Sequence, residues 1–355
     1  MVARLRRAVW LQRLLLWVIG LLWWPRRVSS SEPARVALLR FDRRVGEALL
    51  QTPLFTALHR SLPTAERVAV VHPATARLFE GQPHIDEVMP FSLRGWPLSA
   101  GSWRSMFALS RLRCDVAIDC SNYTELSTSH AVATLMTRAG RRIGFARSSN
   151  ASLCYTHPVA PRVGIESERL QRLHLLSALG ISDEETQTRY EPVGTPRPAV
   201  VELLEELRGR RGRVGVVNPG GRLAWRRVAP ETLAGAARRL VEQGLEVIVV
   251  WGPGEEALAQ RLVDEVGAGA RVAPATDLDE LAALFRAAGC TLTNNSGPMH
   301  LSVAVGAPTL AVFLEMPSAR WGYPDPPHAV VDLTGITEPA RVLRHAVDRF
   351  LDNLR

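Results

Sequence analysis

Lysine is absent from this sequence, so all 43 of its basic side chains are arginine. An arginine standing where a lysine would be expected therefore counts little against a function. Cysteine is scarce. Cys114, Cys120, Cys154 and Cys290 show no C-x-x-C spacing, which favours free thiols in a reducing compartment over a disulfide framework or a zinc site. There is no G-x-G-x-x-G, no G-x-x-x-x-G-K-[ST], no H-E-x-x-H and no G-x-S-x-G. Dehydrogenase, P-loop NTPase, zincin and α/β-hydrolase readings lose their signatures with them. Net charge outside the N-terminus is also small. The net charge is +8, but six arginines and no acid fall in residues 1–30, which leaves about +2 for the rest. Nucleic-acid binding by the whole protein is thereby poorly supported.

What is present suffices for two domains of ordinary size: 355 residues, 46% of them hydrophobic. Residues 1–31 stand apart. On a helix, Arg6, Arg13, Gly20 and Arg27 recur every seven residues as a polar stripe, opposite Trp10, Leu14, Trp17, Leu21 and Trp24. The apolar run after Arg13 is 11 residues, short of the ~20 that a span needs. A Trp-rich helix flanked by arginine suits a membrane interface. A signal peptide, a tilted span or a disordered start remain open alternatives. Arg26–Ser31 reads as a linker.

From residue 35 the chain alternates strands and helices. RVALLRF (35–41) is a first buried strand. Asp42–Glu47 is expected as a turn, and Ala48–Leu62 as one helix. Arg67–Val71, Cys114–Cys120 and Arg142–Phe145 are further strands. Residues 166–180 form an amphipathic helix ending at Gly180. The domain junction is expected near 190–212, giving domains 32–195 and 196–355. In the second, Val214–Val217 and Leu245–Trp251 are strands, with helices over 231–243, up to Val266, 277–288 and 338–353. Such alternation in both halves implies two doubly wound α/β domains, with ligands at the carboxyl ends of strands.

The most informative stretch is Thr291–His300, followed by a short helix and the strand Thr309–Phe313. Ser296 suits an N-cap, Pro298 the first helical turn, and Gly306 with Pro308 the end. A helix opening with Ser-Gly-Pro presents bare N–H groups to an anion such as phosphate. His300 offers a second donor. The plain alternative is an ordinary strand–loop–helix unit. Upstream, Asn218-Pro-Gly-Gly-Arg222 follows a strand, and Gly220 and Gly221 permit close backbone approach to a ligand.

The string N-N-S-G-P-M-H-L-x-x-A-x-G-x-P-x-x-A-x-F over residues 294–313 resembles the hallmark of glycosyltransferase family 9, the ADP-heptose:lipopolysaccharide heptosyltransferases. Arg40–Leu58 resembles the same family's N-terminal motif, and Glu80–Val88, Asp115–Cys120 and Pro317–Tyr323 follow its other segments. The resemblance covers about residues 35–335. It implies a GT-B fold, two Rossmann-like domains facing across a cleft: an N-terminal acceptor domain and a C-terminal nucleotide-sugar domain. Glu47 stands where the family has an aspartate proposed as general base; otherwise it simply caps a helix N-terminus. Arg227 stands at a lysine position that neutralises diphosphate. Glu255 matches an acid on the donor ribose, and Thr276 falls in the nucleoside pocket. Asn295, Ser296, Gly297, Pro298, Met299 and His300 match the segment that holds diphosphate and sugar. Asn295 replaces an aspartate, so one carboxylate for the donor sugar is missing.

The implied activity is inverting glycosyl transfer from a nucleotide-diphosphate sugar, with ADP-heptose expected, to an anionic lipid-linked saccharide. Glu47 and Arg227 are the catalytic candidates, and neither metal nor other cofactor is expected. The partners are donor, glycolipid acceptor and, through residues 1–31, a membrane surface. The expected location is the cytoplasm, peripheral to the inner membrane. With Glu47 and Asn295 both changed from the family acids, a non-catalytic sugar-nucleotide or glycolipid binding module stays open.

Overall fold

The computed structural model describes residues 32–95, 98–147, 154–182 and 187–355. The helix expected within residues 1–31 lies outside them. Among the described residues, no helix is long and apolar enough to cross a membrane. The chain divides into two compact units, residues 1–187 and 188–355.

The first unit is built on a six-stranded sheet in the order β3-β2-β1-β4-β5-β6. The strands are β1 (Arg35–Arg40), β2 (Glu66–Val71), β3 (Glu87–Pro90), β4 (Val116–Asp119), β5 (Arg141–Phe145) and β6 (His157–Val159). All pair in parallel. β1 is buried from Val36 onward, as its near-continuous apolar run requires of a central parallel strand covered on both faces. Its helices are α1 (Val45–Leu49), α2 (Thr52–Ser61), α3 (Ala100–Ser110), α4 (Thr128–Met136) and α5 (Glu168–His174).

The single helix expected over Ala48–Leu62 is instead two, α1 and α2, broken at Leu50–Gln51. Pro53 explains the break. It has no N–H for the carbonyl of Leu49, and its ring would clash there in a continuous helix. The Thr52 hydroxyl donates to that carbonyl instead, at 2.9 Å. Glu47 therefore lies in the first turn of α1 rather than in a preceding turn.

The second unit repeats the plan with β12-β11-β10-β7-β8-β9. Its strands are β7 (Val214–Asn218), β8 (Glu246–Val249), β9 (Ala270–Val272), β10 (Cys290–Asn294), β11 (Thr309–Phe313) and β12 (Ala329–Asp332). Counted from its own first strand, the order is the same as in the first sheet, and it too is wholly parallel. Its helices are α6 (Pro198–Leu207), α7 (Pro230–Glu242), α8 (Glu256–Val266), α9 (Leu278–Ala287), α10 (Gly297–Ala304), α11 (Ser318–Trp321) and α12 (Pro339–Asp352). α12 packs on α7, with Leu343, Val347 and Phe350 in one core with Leu233, Ala237 and Leu240. Each such large side chain contributes roughly 1.5–3 kcal/mol on burial. Arg239 and Asp348 pair across the seam at 2.6 Å.

Residues 188–197 are tied to α9. Tyr190 donates to Asp279 at 2.6 Å, and Arg197 pairs with Glu280 at 2.5 Å. Asp277 and Glu280 close a capping box at the start of α9. All four cysteines are free and buried. Burial pushes each thiol up to about 12, so none is a thiolate nucleophile at neutral pH.

Candidate functional site

In an open parallel sheet of this order, ligands sit where the strand order reverses, beyond the carboxyl ends of the strands. The first sheet reverses between β1 and β4, the second between β7 and β10. The residues singled out from sequence gather at these two places, except Thr276, in the loop after β9, and Glu255, in the loop after β8.

At the end of β1, Glu47 is buried among arginines. Its Oε2 is 2.8 Å from Nη2 of Arg40, the last residue of β1, and accepts a hydrogen bond from Nη2 of Arg172 on α5. Arg172 is fully buried, and its Nη1 donates to the Glu47 backbone carbonyl at 2.8 Å. Asn122, just past β4, accepts from both Arg40 and Arg172 at 3.0 Å through Oδ1. Glu168 lies 3.3 Å from Arg172, and Asp42 2.7 Å from Arg40. Among the described residues, Oε1 of Glu47 has one partner, Arg44 at 3.5 Å, whose side chain is 59% exposed. One carboxylate oxygen is thus anchored by two buried cations while the other faces an exposed one.

Burial works to raise the pKa of Glu47. The charges of Arg172 and then Arg40, with the Arg172 hydrogen bond, outweigh it and hold the group down at about 2. Arg172 is pushed up: burial opposes its charge, but Glu47 and Glu168 prevail. Glu47 is therefore ionised at any physiological pH. Sequence reasoning missed Arg172, Asn122 and Glu168. The one signal was an arginine four residues after a glutamate on the leucine-bearing face of an amphipathic helix.

At the end of β7 the chemistry differs. Asn218 donates through Nδ2 to the hydroxyls of Thr293 (3.0 Å) and Ser296 (3.2 Å), and its Oδ1 accepts from Gly220 N–H at 3.3 Å. Asn294 pins the loop after β7 at both ends. It donates to the Pro219 carbonyl at 2.8 Å and accepts from Val228 N–H at 3.1 Å. Both asparagines lie in the motifs read from sequence, but neither was among the expected site residues.

Ser296 occupies the N-cap position of α10, but its side chain makes no cap hydrogen bond. Its oxygen serves Asn218 instead, which corrects the expected cap. With no cap from Ser296, the leading N–H groups of α10 stay available to an anion. Gly297 and Pro298 are half-buried beside them, and Asn295 is half-buried with its backbone N–H on Val312. Met299 is fully buried in the core. His300 is buried, with Nδ1 2.8 Å from the Tyr323 hydroxyl, which fixes the ring.

Glu255 joins the glycine loop to the turn after β8. Its Oε1 accepts from Gly221 N–H and from Arg227 Nη2, both at 2.9 Å, and its Oε2 from Gly252 N–H at 3.2 Å. A Cβ on Gly220 would lie 2.0 Å from Glu255 Oε2. Gly220 thus makes room for Glu255, a side chain of this protein, rather than only for a ligand. Arg227 also donates through Nε to the Gly221 carbonyl at 2.7 Å and is 29% exposed. Residues 219–230 contain three arginines and no acid. Thr276 is half-exposed and precedes the capping box of α9. Among the described residues, no group of three His, Cys, Asp or Glu side chains is placed to hold a metal ion.

The sequence model of glycosyltransferase family 9 (heptosyltransferase) matches residues 104–341, more than half of the chain. No match emerged among curated proteins. Among solved structures, the chain resembles Escherichia coli heptosyltransferase WaaC with ADP-2-deoxy-2-fluoro heptose at TM-score 0.71 and 22% identity, covering 89% of this chain and 99% of that one. It resembles the glycosyl transferase family 9 of Veillonella parvula at 0.70 and 18%, covering 85% and 86%. It resembles E. coli ADP-heptose LPS heptosyltransferase II at 0.67 and 17%, covering 89% and 98%.

Proposed function

Because the chain belongs to glycosyltransferase family 9 (heptosyltransferase) and is a glycosyltransferase, we propose that it transfers heptose from ADP-heptose to an anionic lipid-linked saccharide, with inversion. Oε1 of Glu47 takes the proton of the acceptor hydroxyl. The acceptor oxygen forms a bond to the anomeric carbon, the bond from that carbon to the diphosphate breaks, and ADP leaves.

The observation that carries this reading is the unequal treatment of the two Glu47 oxygens: Oε2 bound to buried Arg40 and Arg172, Oε1 meeting, among the described residues, only exposed Arg44. A base held at about 2 has little driving force for proton transfer to it early in a reaction. The transfer is therefore late. As the acceptor oxygen bonds to an oxocarbenium-like carbon it gains positive charge, and its proton becomes acidic enough for a weak, well-placed carboxylate.

The second unit holds the donor. The leading N–H groups of α10 and the guanidinium of Arg227 stabilise the charge that develops on the leaving diphosphate. The preference for ADP-heptose is supported by the likeness to WaaC, which was solved with a fluorinated ADP-heptose. Asn295 stands where the family's aspartate meets the sugar, so this contact is neutral here. A lipid-linked acceptor, together with residues 1–31, puts the enzyme at the cytoplasmic face of the inner membrane.

The test is transfer of labelled heptose from ADP-heptose to a lipopolysaccharide-type acceptor. Labelled product with stoichiometric ADP supports the proposal. Donor binding without product assigns the chain to a binding role, and absence of donor binding contradicts the proposal outright.

A further inference from the structure

α3 is apolar on two sides. Met106 and Leu109 point inward, in one core with Ala37, Leu39, Val68 and Val70 of the first sheet. Trp103 and Phe107, four residues apart on the outer side, are 51% and 56% exposed, and Leu98 just before the helix is 95% exposed. Among the described residues, three of the seven large exposed hydrophobic side chains thus fall within ten residues of chain. Arginines interleave with them. Arg94, Arg104, Arg111 and Arg113 are all exposed, residues 92–113 contain no acid, and the Arg111 guanidinium lies 3.8 Å over the Phe107 ring.

This chemistry suits one kind of surface. Trp and Phe rings settle at the headgroup level of a bilayer, and arginine binds lipid phosphates bidentately. An anionic leaflet adds attraction for each arginine near it. A protein partner would have to supply an acidic rim and an apolar pocket together, whereas an anionic bilayer supplies both over any area.

We propose that the outer face of α3 docks on an anionic lipid surface, with Leu98, Trp103 and Phe107 entering the interface and Arg104 and Arg111 on headgroup phosphates. This contact is independent of residues 1–31. It extends the lipid-linked acceptor reading but does not need the transfer reaction, so the two fail separately.

The test is hydrogen–deuterium exchange on the full chain with saccharide-free vesicles of phosphatidylglycerol or of phosphatidylcholine. On phosphatidylglycerol vesicles, exchange across residues 99–111 should slow about tenfold as the helix is shielded and held. That protection should weaken in about 0.5 M salt, where surface charges are screened. The variant Trp103→Glu with Phe107→Glu should keep its melting temperature, since both side chains are exposed, and lose the protection at equal bound fraction. Vesicle-bound protein with unprotected α3, equal protection on phosphatidylcholine, or retained protection in the double variant would each overturn the proposal. So would failure of the full chain to bind phosphatidylglycerol vesicles at all.

Discussion

At the end of β1, three arginines (Arg40, Arg44, Arg172) meet three acids (Asp42, Glu47, Glu168), and most of this network is buried. At the end of β7, amides, two hydroxyls and glycines do the same structural work around a partly exposed pair, Arg227 and Glu255. The two sheets share one strand order, yet the first neutralises its charge internally and the second leaves donors unspent. A buried ion network adds little net stability over an apolar core, but removing one member strands its partner in low dielectric. A half-exposed donor loop loses affinity for a ligand instead. The first site should therefore fail by unfolding or losing rate, the second by losing affinity.

The sharpest way to break that contrast is Arg172→Met. It leaves Glu47 and Glu168 without their shared buried cation and should lower unfolding free energy by about 3–5 kcal/mol. The matched change Arg227→Ala should cost less than about 1 kcal/mol of stability. Urea unfolding of both variants checks this, and equal losses would erase the distinction.

Next in size is the pH dependence. Glu47 is lowered from 4.5 to about 2 in the folded protein. A depressed carboxylate stabilises the fold fully above its unfolded pKa and loses that contribution as pH falls through its folded pKa. At about 1.4 kcal/mol per pH unit the contribution is on the order of 3 kcal/mol. The stability gap between wild type and Glu47→Gln should shrink by most of that between pH 5 and pH 2, where about half of the folded wild-type carboxyl is protonated. A gap constant with pH would mean that the arginines do not hold Glu47 ionised.

On the second site, Arg227→Ala should weaken ADP-heptose binding by about 1.5–3 kcal/mol, the worth of a charge-assisted phosphate contact. Titration calorimetry reads it directly. Asn218→Ala should change stability far less than Arg172→Met, by about 1 kcal/mol, because it removes modest hydrogen bonds to Thr293 and Ser296. A larger effect than that of Arg172→Met would reverse the comparison.

Much of the fold was legible. β1 declares itself by an unbroken apolar run, and Gly244 ends a helix where expected. The helix expected over 166–180 is α-helical only to His174, continues as a 3-10 segment over Leu175–Leu179 and ends at Gly180, both glycines at positive φ. The break between α1 and α2 was also written in the sequence, at Pro53, but the apolar period over 48–62 masked it. What periodicity does not encode is which distant side chains meet. Arg172 is 125 residues from Glu47, and Asn218 is 78 from Ser296. The motif around Glu47 located the acid, while its arginine surroundings depend on how β1, β4 and α5 assemble. Gly220 was read as room for a ligand and Ser296 as a helix cap. Glu255 and Asn218, each brought in from elsewhere in the chain, meet them in the fold.

The central claim is that Glu47, with one oxygen anchored by Arg40 and Arg172 and the other on Arg44 alone among the described residues, is the base. The most direct measurement is the single-turnover transfer rate of Glu47→Gln, taken with its ADP-heptose affinity at a temperature where the variant is folded. The account predicts a rate lowered by ~10²–10⁴ at unchanged donor affinity. Glu47→Asp, which keeps the charge but shortens the reach, should fall between the two. Transfer by Glu47→Gln at the wild-type rate would contradict it.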